Sequence, residues 1–345
     1  MNHNPHCDFV LPAEWSPQSG IQLTWPHTAT DWKPYLEDIT KTFVEMAREI
    51  TKRELLLVVT PDKEQTRSQL AESLSSECLS RIIIRQVDTN DTWARDHGPL
   101  TLTSTHQAQG FFVKNHLLDF KFNGWGEKFE WRKDNAINLQ LYYDGVFQAA
   151  LENHTDFILE GGSIESDGQG TIMTTTSCMT APHRNQPLGK REIDERLRIL
   201  LHADRVIWLD HGRLIGDDTD GHIDTIVRMA PHDTLLYVGC DDTEDEHYDD
   251  FAALERQLQG LKTRNGKSYR LLRLPMPKAI FDGDDRLPAT YANFVILNGA
   301  VLVPTYAQPD SDRAAMDTIH QAFPDRDIIG IFNLETTTIT PRGRE

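Results

Sequence analysis

The sequence is poor in cysteine, and its few thiols lie far apart. Its 345 residues include four cysteines, namely Cys7, Cys78, Cys178 and Cys240. None of them forms a Cys-x-x-Cys pair, which argues against a zinc ribbon or a thioredoxin-type motif. We therefore expect reduced thiols, as in the cytoplasm, where structural disulfides are rare.

Long apolar runs are missing as well. Hydrophobic residues make up 39% of the chain and the mean hydropathy is −0.49, and no run is long enough to span a bilayer. The first ten residues, MNHNPHCDFV, lack the basic and then apolar layout of a signal peptide. We expect a soluble, globular, cytoplasmic protein without a membrane partner.

Positive charge is scarce. The 53 aspartates and glutamates outnumber the 35 lysines and arginines, which gives a formal net charge of −18. A nucleic-acid partner needs a basic surface, so this balance argues against one. An acidic cleft would attract a small cation, but excess acid also aids solubility. Charge alone favours the solubility interpretation.

Short strands alternate with amphipathic helices along the whole chain. A helical stripe at Leu36, Ile39, Phe43, Met46 and Ile50 precedes apolar strands at 54–59 and 81–87. Near the end, NFVILNGAVLVPTY predicts a hairpin that turns at Asn298-Gly299. Such modules recur about every 60–70 residues, a spacing typical of circular or solenoid folds. No Pro-, Gly- or Ser-rich linker divides them, so we predict one domain over residues 1–345.

Three loop segments hold the candidate site residues. They are DTNDTWARDHGPL (88–100), ILEGGSIESDGQGT (158–171) and GDDTDGHIDT (216–225). Each has an ordinary structural interpretation: a turn held by aspartates and an Arg–Asp pair, a bulge at a strand end, and a solvated acidic loop. Taken together, they offer carboxylates from separate segments beside one imidazole. Carboxylates match a planar guanidinium bidentately, so a cation pocket is the favoured hypothesis.

A metal site is the weaker interpretation. Zinc usually takes several His or Cys ligands, and in these segments only His222 is such a residue. Calcium would need alternating ligands over a longer loop that ends in glutamate, which GDDTDGHID does not supply. A metal is therefore the less favoured interpretation of these segments.

The ordered series of motifs resembles the agmatine deiminase family, a branch of the guanidine-modifying pentein enzymes that includes bacterial peptidylarginine deiminase-like proteins. The resemblance covers nearly the whole chain. It rests on LPAEWSPQSGIQLTWPH, NDTWARDHGP, EGGSIESDGQGT, TTTSCM, HRNQP, DDTDGHIDT, LPATYANFVILNGAVLVPTY and FPDRDIIGI, in that order. It implies an α/β fold, a five-bladed propeller of ββαβ modules with pseudo-fivefold symmetry.

The resemblance also implies roles for individual residues. His222 matches the general acid/base, and Asp224 and Asp96 match carboxylates that hold the guanidinium nitrogens. Trp93 and Glu160 match positions that line or support the pocket. Asp218 and its neighbours Asp217 and Asp220 could face the distal amine of agmatine. The loop interpretation is favoured for at least two of these three.

The reaction implied by the resemblance is the hydrolysis of agmatine to N-carbamoylputrescine and ammonia, a step of putrescine biosynthesis. A cysteine attacks the guanidinium carbon, ammonia leaves, and water hydrolyses the amidino-thioether. The implied partner is a small cationic guanidino substrate, and a homo-oligomer is left open. The resemblance implies neither a metal nor an organic cofactor.

The sequence departs from the family at the nucleophile. The family pattern Gly-x-x-His-Cys-x-Thr is expected shortly after the strand IIGI, where this chain reads FNLETTTITPRGRE. We therefore identify no nucleophile, and we expect turnover by the chain as printed to be impaired. Cys178 lies in TTTSCM, where relatives carry a non-catalytic cysteine, and all four cysteines are interpreted as buried or incidental.

Two alternative functions remain open. One is a non-catalytic binder of guanidino or amine ligands on the same scaffold. The other is a deiminase of arginine in peptides, which would need an open groove rather than a closed pocket with an acidic far end. The acidic GDDTDG run favours agmatine over peptides.

Overall fold

The protein is described here from a computed structural model that covers residues 8–105 and 115–332. Within these residues, strands form five sheets of three or four strands and a separate hairpin, Phe281–Asp282 with Asp285–Arg286. Helices connect the parallel strands, so the fold is mixed α/β as predicted. The prediction about the nucleophile segment concerns residues after Phe332, which lie outside the described ranges.

Four of the sheets share one pattern, in which an antiparallel pair is followed by a parallel strand. In one example, Val227–Ala230 runs antiparallel to Thr234–Gly239, which lies parallel to Arg270–Pro275 beyond the helix Tyr248–Gly260. Parallel neighbours need such a crossover. A second sheet of this kind contains Leu100–Ser104, His116–Lys121 and Ala150–Ile158, with Phe9–Val10 at its edge. A third contains Ile164–Ser166, Thr171–Thr175 and Arg205–Leu209. The fourth contains Val295–Leu297, Ala300–Thr305 and Asp327–Phe332.

The first sheet departs from the expected ββαβ pattern. Its strands Gly20–Thr24, Leu55–Thr60 and Ile82–Gln86 are all parallel. The helices Leu36–Thr51 and Lys63–Ser73 provide the two crossovers. A parallel sheet covered by helices reads as continuous apolar runs, and this explains why LLLVV and III both appear here without polar alternation.

Local patterns predicted the long helices well. The stripe that begins at Leu36 forms the helix Leu36–Thr51, and its members Ile39, Phe43 and Ile50 are buried. Besides the helices already named, the α-helices in the described ranges are Ser76–Leu79, Ala94–His97, Ile137–Tyr143, Thr176–Met179, Lys190–Leu200 and Pro309–Ala322. Gly124–Glu127 is a turn in which Trp125 and Gly126 have positive φ. None of the helices in these ranges is long and apolar enough to cross a membrane.

The predicted hairpin is confirmed. Leu297 pairs with Ala300 across a two-residue loop, and Gly299 within it has φ of +78°. Glycine adopts this left-handed conformation without the steric cost of a Cβ, so Asn-Gly fixes both the position of the turn and the register of the strands.

The first and last sheets of the described chain are neighbours. Leu23 and Leu56 share one hydrophobic core with Leu302 and Ile331. Beside this core, the Gln18 backbone N–H donates to Asn298 Oδ1 at 3.2 Å. The two ends of the fold are therefore joined by apolar packing as well as by hydrogen bonds.

Candidate functional site

Four predicted site residues converge from three segments. Asp96 lies in the short helix Ala94–His97, Glu160 follows the strand Ala150–Ile158, and His222 and Asp224 belong to a 3-10 turn. His222 Nδ1 lies 3.6 Å from Asp96 Oδ1, and its Nε2 lies 3.9 Å from Glu160 Oε2. All four residues are buried, so the cluster is a desolvated arrangement of charge rather than a surface patch.

Gly162 is the point about which three of these groups gather. A Cβ built on Gly162 would lie 2.5 Å from His222 Nδ1, 2.8 Å from Asp96 Oδ1 and 2.9 Å from Asp224 Oδ2. No side chain fits in that space. The glycine pair of the EGGS motif therefore allows the close approach of these groups to the backbone.

Asp96 is fixed by two donors. The Gly162 backbone N–H donates to its Oδ1 at 3.0 Å, and Trp125 Nε1 donates to its Oδ2 at 3.0 Å. Trp93 packs edge-on against Trp125, with ring centroids 5.6 Å apart. Trp93 thus reaches Asp96 through Trp125, a residue that no sequence pattern singled out.

Asp224 has an unused acceptor. Arg95 Nε lies 3.4 Å from its Oδ2, whereas its buried Oδ1 has no hydrogen-bond partner among residues 8–105 and 115–332. Burial raises the pKa of Asp224, against the opposing charges of Arg95 and His222. An unmade hydrogen bond at a buried oxygen is costly, so Oδ1 marks a place where a ligand donor would be favourable.

Arg95 belongs to a network that reaches the N-terminal segment. Glu14 contacts both Arg95 and Arg228, and Arg228 Nε lies 2.6 Å from Glu165 Oε1. Arg228 and Glu165 are almost fully buried. The network positions Arg95 beside Asp224 and shields that carboxylate from solvent.

Glu160 is paired with Arg184. Arg184 Nε donates to the two carboxylate oxygens at 3.0 and 3.3 Å. Burial opposes ionisation of Glu160, but His222 and Arg184 prevail and hold the pKa of its carboxyl below the usual range. Arg184 lies in the HRNQP motif that contributed to the resemblance, but no sequence pattern predicted its contact with Glu160.

Arg184 also anchors the acidic loop. Its two terminal nitrogens donate to Asp220 Oδ2 at 2.6 Å and to the Thr219 carbonyl at 2.7 Å. Asp217 accepts from the backbone N–H groups of Thr219 and Gly221 at 3.0 and 2.7 Å. These two aspartates thus hold the loop that carries His222, as the loop interpretation proposed.

Lys128 fastens the same loop from its outer side. Its Nζ donates to Asp220 Oδ1 and to the Asp218 carbonyl, both at 2.7 Å. Asp218 therefore contributes its backbone carbonyl to this contact with Lys128. The suggested contact of its side chain with a substrate stays a prediction.

Cys178 lies unexpectedly close to His222. Its Sγ, a ring nitrogen of His222 and a carboxylate oxygen of Glu160 all lie within 4.8 Å of one another. Cys178 and Cys240 are buried as predicted, Cys78 is partly buried, and Cys7 lies outside the described residues. Cys178 lies outside the three loop segments that hold the candidate site residues, and only the fold brings it to His222.

The surroundings of His222 favour its protonated form. Burial by itself would lower its pKa, but the Asp96 carboxylate and the side chains of Cys178 and Glu160 together raise the pKa well above the usual range. Burial raises the pKa of the Cys178 thiol. The site therefore combines an imidazolium, a neutral thiol and three carboxyl groups in a small buried volume.

Known proteins match this chain over nearly its whole length. The family described as Porphyromonas-type peptidyl-arginine deiminase matches residues 10–338. A structure from Porphyromonas gingivalis, described provisionally as an arginine deiminase, is 42% identical with a TM-score of 0.87, covering 97% of this chain and 96% of that one.

Two further relatives are named for agmatine. The C. jejuni agmatine deiminase, in a cysteine-to-serine form with substrate bound, is 33% identical with a TM-score of 0.85 and covers 97% of this chain and 95% of that one. The agmatine deiminase of Medicago truncatula is 27% identical over 94% of this chain and 91% of its own length. These matches extend over nearly the whole chain and place it in the class of deiminases. The chain belongs to the Porphyromonas-type peptidyl-arginine deiminase family, and relatives named agmatine deiminase match most of its length.

Proposed function

We propose that this protein has an agmatine deiminase site, in which agmatine is converted to N-carbamoylputrescine and ammonia. One observation carries the proposal. Asp96 Oδ1 and Asp224 Oδ2 both lie against Gly162, and Asp224 Oδ1 is a buried acceptor without a partner in the described chain. A guanidinium has planar donors that satisfy two such carboxylates at once.

In this proposal Asp96 and Asp224 orient the substrate. Two fixed carboxylates place the guanidinium carbon for attack and prevent its rotation. Trp125 and Gly162 hold Asp96 in place, so the carboxylate does not reorganise when substrate arrives. Trp93 supports this wall of the pocket, and Asp218 is proposed to attract the distal ammonium group.

His222 supplies the proton for the leaving group. Its raised pKa keeps it protonated near neutral pH, which suits a general acid for departing ammonia. A thiolate forms a bond to the guanidinium carbon, the C–N bond breaks, and His222 protonates the departing nitrogen. Water then adds with His222 as base, the C–S bond breaks, and the thiolate is restored.

The family pattern places the cysteine that supplies this thiolate after Phe332. Residues 333–345 of this chain contain no cysteine. Cys178 is a poor substitute, because it is fully buried and burial raises its pKa, and a neutral thiol is not the attacking species. We propose that the chain as printed binds agmatine and turns it over at most slowly.

Peptidyl-arginine is the second candidate substrate, and the description of the matching family favours it. Calorimetric titration with agmatine and, in parallel, with an N-acyl-arginine amide distinguishes the two. We expect tight binding of agmatine only. Binding of the arginine amide alone would support the peptide alternative, and binding of neither would refute both.

The binding test has a matched pair of variants. Asp224→Asn should weaken agmatine binding at least about thirtyfold, because removal of one partner from a desolvated charge pair costs about 2 kcal/mol or more. Asp249→Asn removes the same charge from an exposed helical site and should leave affinity unchanged. Equal affinity in both variants would refute the assignment of Asp224.

The finer architecture is also a proposal. We propose that the five sheets are the blades of a pseudo-fivefold propeller around the site. The shared core of the first and last sheets supports this arrangement. We also propose that residues 1–345 form a single domain, that the protein is cytoplasmic and that it self-associates.

A further inference from the structure

We propose that Cys178, His222 and Glu160 form a binding site for a thiophilic divalent cation, and that Zn²⁺ is the ion it fits. The site differs from the guanidinium position proposed at Asp96 and Asp224, because His222 faces Asp96 through Nδ1 and Glu160 through Nε2. Here the ion would lie on the Nε2 side, in contact with the thiol sulfur and the Glu160 carboxylate.

The geometry is close to that of a three-ligand zinc site. The three ligand atoms lie within 4.8 Å of one another, and His222 Nε2 is 3.9 Å from Glu160 Oε2. Tetrahedral Zn²⁺ holds S, N and O ligands about 2.0–2.3 Å away, and hence about 3.5 Å from one another. Small side-chain movements toward the centre would complete the site and leave a fourth position for water.

The unpaired ring nitrogen is an independent sign of a ligand. His222 Nε2 is fully buried and has no hydrogen-bond partner among residues 8–105 and 115–332. Buried polar atoms are seldom left in this state. A cation between Nε2, Cys178 and Glu160 would give this nitrogen a direct bond in place of its long contact of 3.9 Å with Glu160 Oε2.

The surroundings provide the outer support that metal-binding side chains usually have. His222 Nδ1 faces Asp96 Oδ1 at 3.6 Å, the carboxylate–histidine relationship common in zinc sites. Arg184 holds Glu160 through Nε and leaves lone pairs of the carboxylate for a metal. When Cys178 is a thiolate, the three negative charges of Cys178, Glu160 and Asp96 balance the three positive charges of Zn²⁺ and Arg184.

A cavity lies beside Arg184. Its volume is about 580 Å³, and it is lined by Ile158, Thr180, His183 and Arg184, among others. Ile158 and Thr180 lie two residues from Glu160 and Cys178 respectively. Binding would release the thiol proton, and any proton on His222 Nε2, to solvent.

The consequence for activity rests on the proposed function. An imidazole whose Nε2 coordinates zinc cannot serve as general acid, so zinc would inhibit deimination without occupying the guanidinium position. The test below measures metal binding directly. Failure of the metal site and failure of the deiminase proposal are therefore distinguishable.

The experiment titrates the reduced full-length chain with Co²⁺, a spectroscopic substitute for Zn²⁺. We expect one equivalent to give a thiolate-to-cobalt charge-transfer band and tetrahedral d–d bands, and Zn²⁺ to displace both. Cys178→Ser should abolish the charge-transfer band and weaken Zn²⁺ binding more than about 100-fold, because even second-layer changes cost about 10–100-fold. Asp96→Asn, which changes such a second-layer contact, should weaken binding about 10–100-fold.

Cys240→Ser is the matched control, since Cys240 is likewise buried but lies outside the cluster. It should bind cobalt and zinc as the unaltered chain does. A charge-transfer band that survives Cys178→Ser, or disappears with Cys240→Ser, would overturn the proposal. If Cys178→Ser does not fold, the unaltered chain still decides, because bound cobalt without a thiolate band contradicts coordination by Cys178.

Discussion

The Trp125 indole and the Asp96 carboxylate are joined by a hydrogen bond of 3.0 Å between Nε1 and Oδ2. The bond uses one lone pair of a carboxylate that we propose holds the substrate. We predict that Trp125→Phe keeps the ring but weakens agmatine binding about tenfold or more, because hydrogen bonds to charged groups contribute about 1.5–3 kcal/mol. Calorimetry measures this effect. Trp93→Phe, which retains an aromatic ring against Trp125, should change affinity less, and the reverse order would contradict the role given to Trp125.

Gly162 should tolerate no side chain. Its missing Cβ leaves room for His222, Asp96 and Asp224, and overpacking of a buried site costs about 1–3 kcal/mol. Gly162→Ala should lower the unfolding temperature and abolish agmatine binding. Gly260→Ala is the control, because a Cβ there meets nothing within 4 Å. Agmatine binding by Gly162→Ala at normal affinity would place the substrate elsewhere.

A carboxyl pair behind the loop of Asp96 should make stability depend on pH. Burial raises the pKa of both Asp91 and Asp134 to about 7, and Asp31 adds like charge to Asp91. The folded state thus binds these protons more tightly than the unfolded state. The stabilisation is complete below about pH 4 and is lost as pH rises through about 7.

The measurement is thermal unfolding from pH 5 to pH 8 for the unaltered chain and for Asp91→Asn. The asparagine oxygen can still accept from the Thr92 N–H, which is bonded to Asp91 Oδ1 at 2.8 Å, but it cannot ionise. The unaltered chain should lose more stability than the variant as pH rises, by up to about 1.4 kcal/mol per pH unit. Parallel curves would show that Asp91 does not titrate in this range.

Arg184 should control the order of the loop that carries His222. Arg184→Lys keeps the charge but cannot reach Glu160, Asp220 and the Thr219 carbonyl together, as the guanidinium does. Breaking a buried pair costs about 3–5 kcal/mol. Hydrogen exchange over residues 216–222 should accelerate. Lys128→Met removes only the half-exposed outer contact, worth about 0–1 kcal/mol, and comparable acceleration in both variants would argue against Arg184 as the anchor.

Turnover of agmatine should require a cysteine after Phe332, and residues 333–345 contain none. A colour assay for the carbamoyl product should give little signal from this chain and strong signal when the tail is rebuilt with a Gly-x-x-His-Cys ending, because a thiolate is the nucleophile suited to a guanidinium carbon. Robust turnover by the unmodified chain, lost in Cys178→Ala, would instead make Cys178 the nucleophile.

The sequence predicted the parts of the molecule that depend on local pattern. The helix Leu36–Thr51 follows from apolar residues spaced by three and four, and the hairpin at Gly299 follows from its two turn residues. Asp96, Glu160, His222 and Asp224 could be named because recognisable motifs surround them. Trp125, Arg184 and Cys178 could not be placed, since their contacts join segments 24 or more residues apart and no local spacing encodes such pairs.

The core shared by the first and last sheets has a consequence for biosynthesis. Leu23 and Leu56 are covered by Leu302 and Ile331, which are translated long after them. The ribosome therefore releases the first sheet with part of its apolar surface uncovered, and that surface stays exposed until the strand Asp327–Phe332 arrives. The first sheet to be synthesised therefore has its core completed only by much later strands. A chain whose translation is interrupted before them would be an aggregation-prone fragment rather than a smaller functional protein.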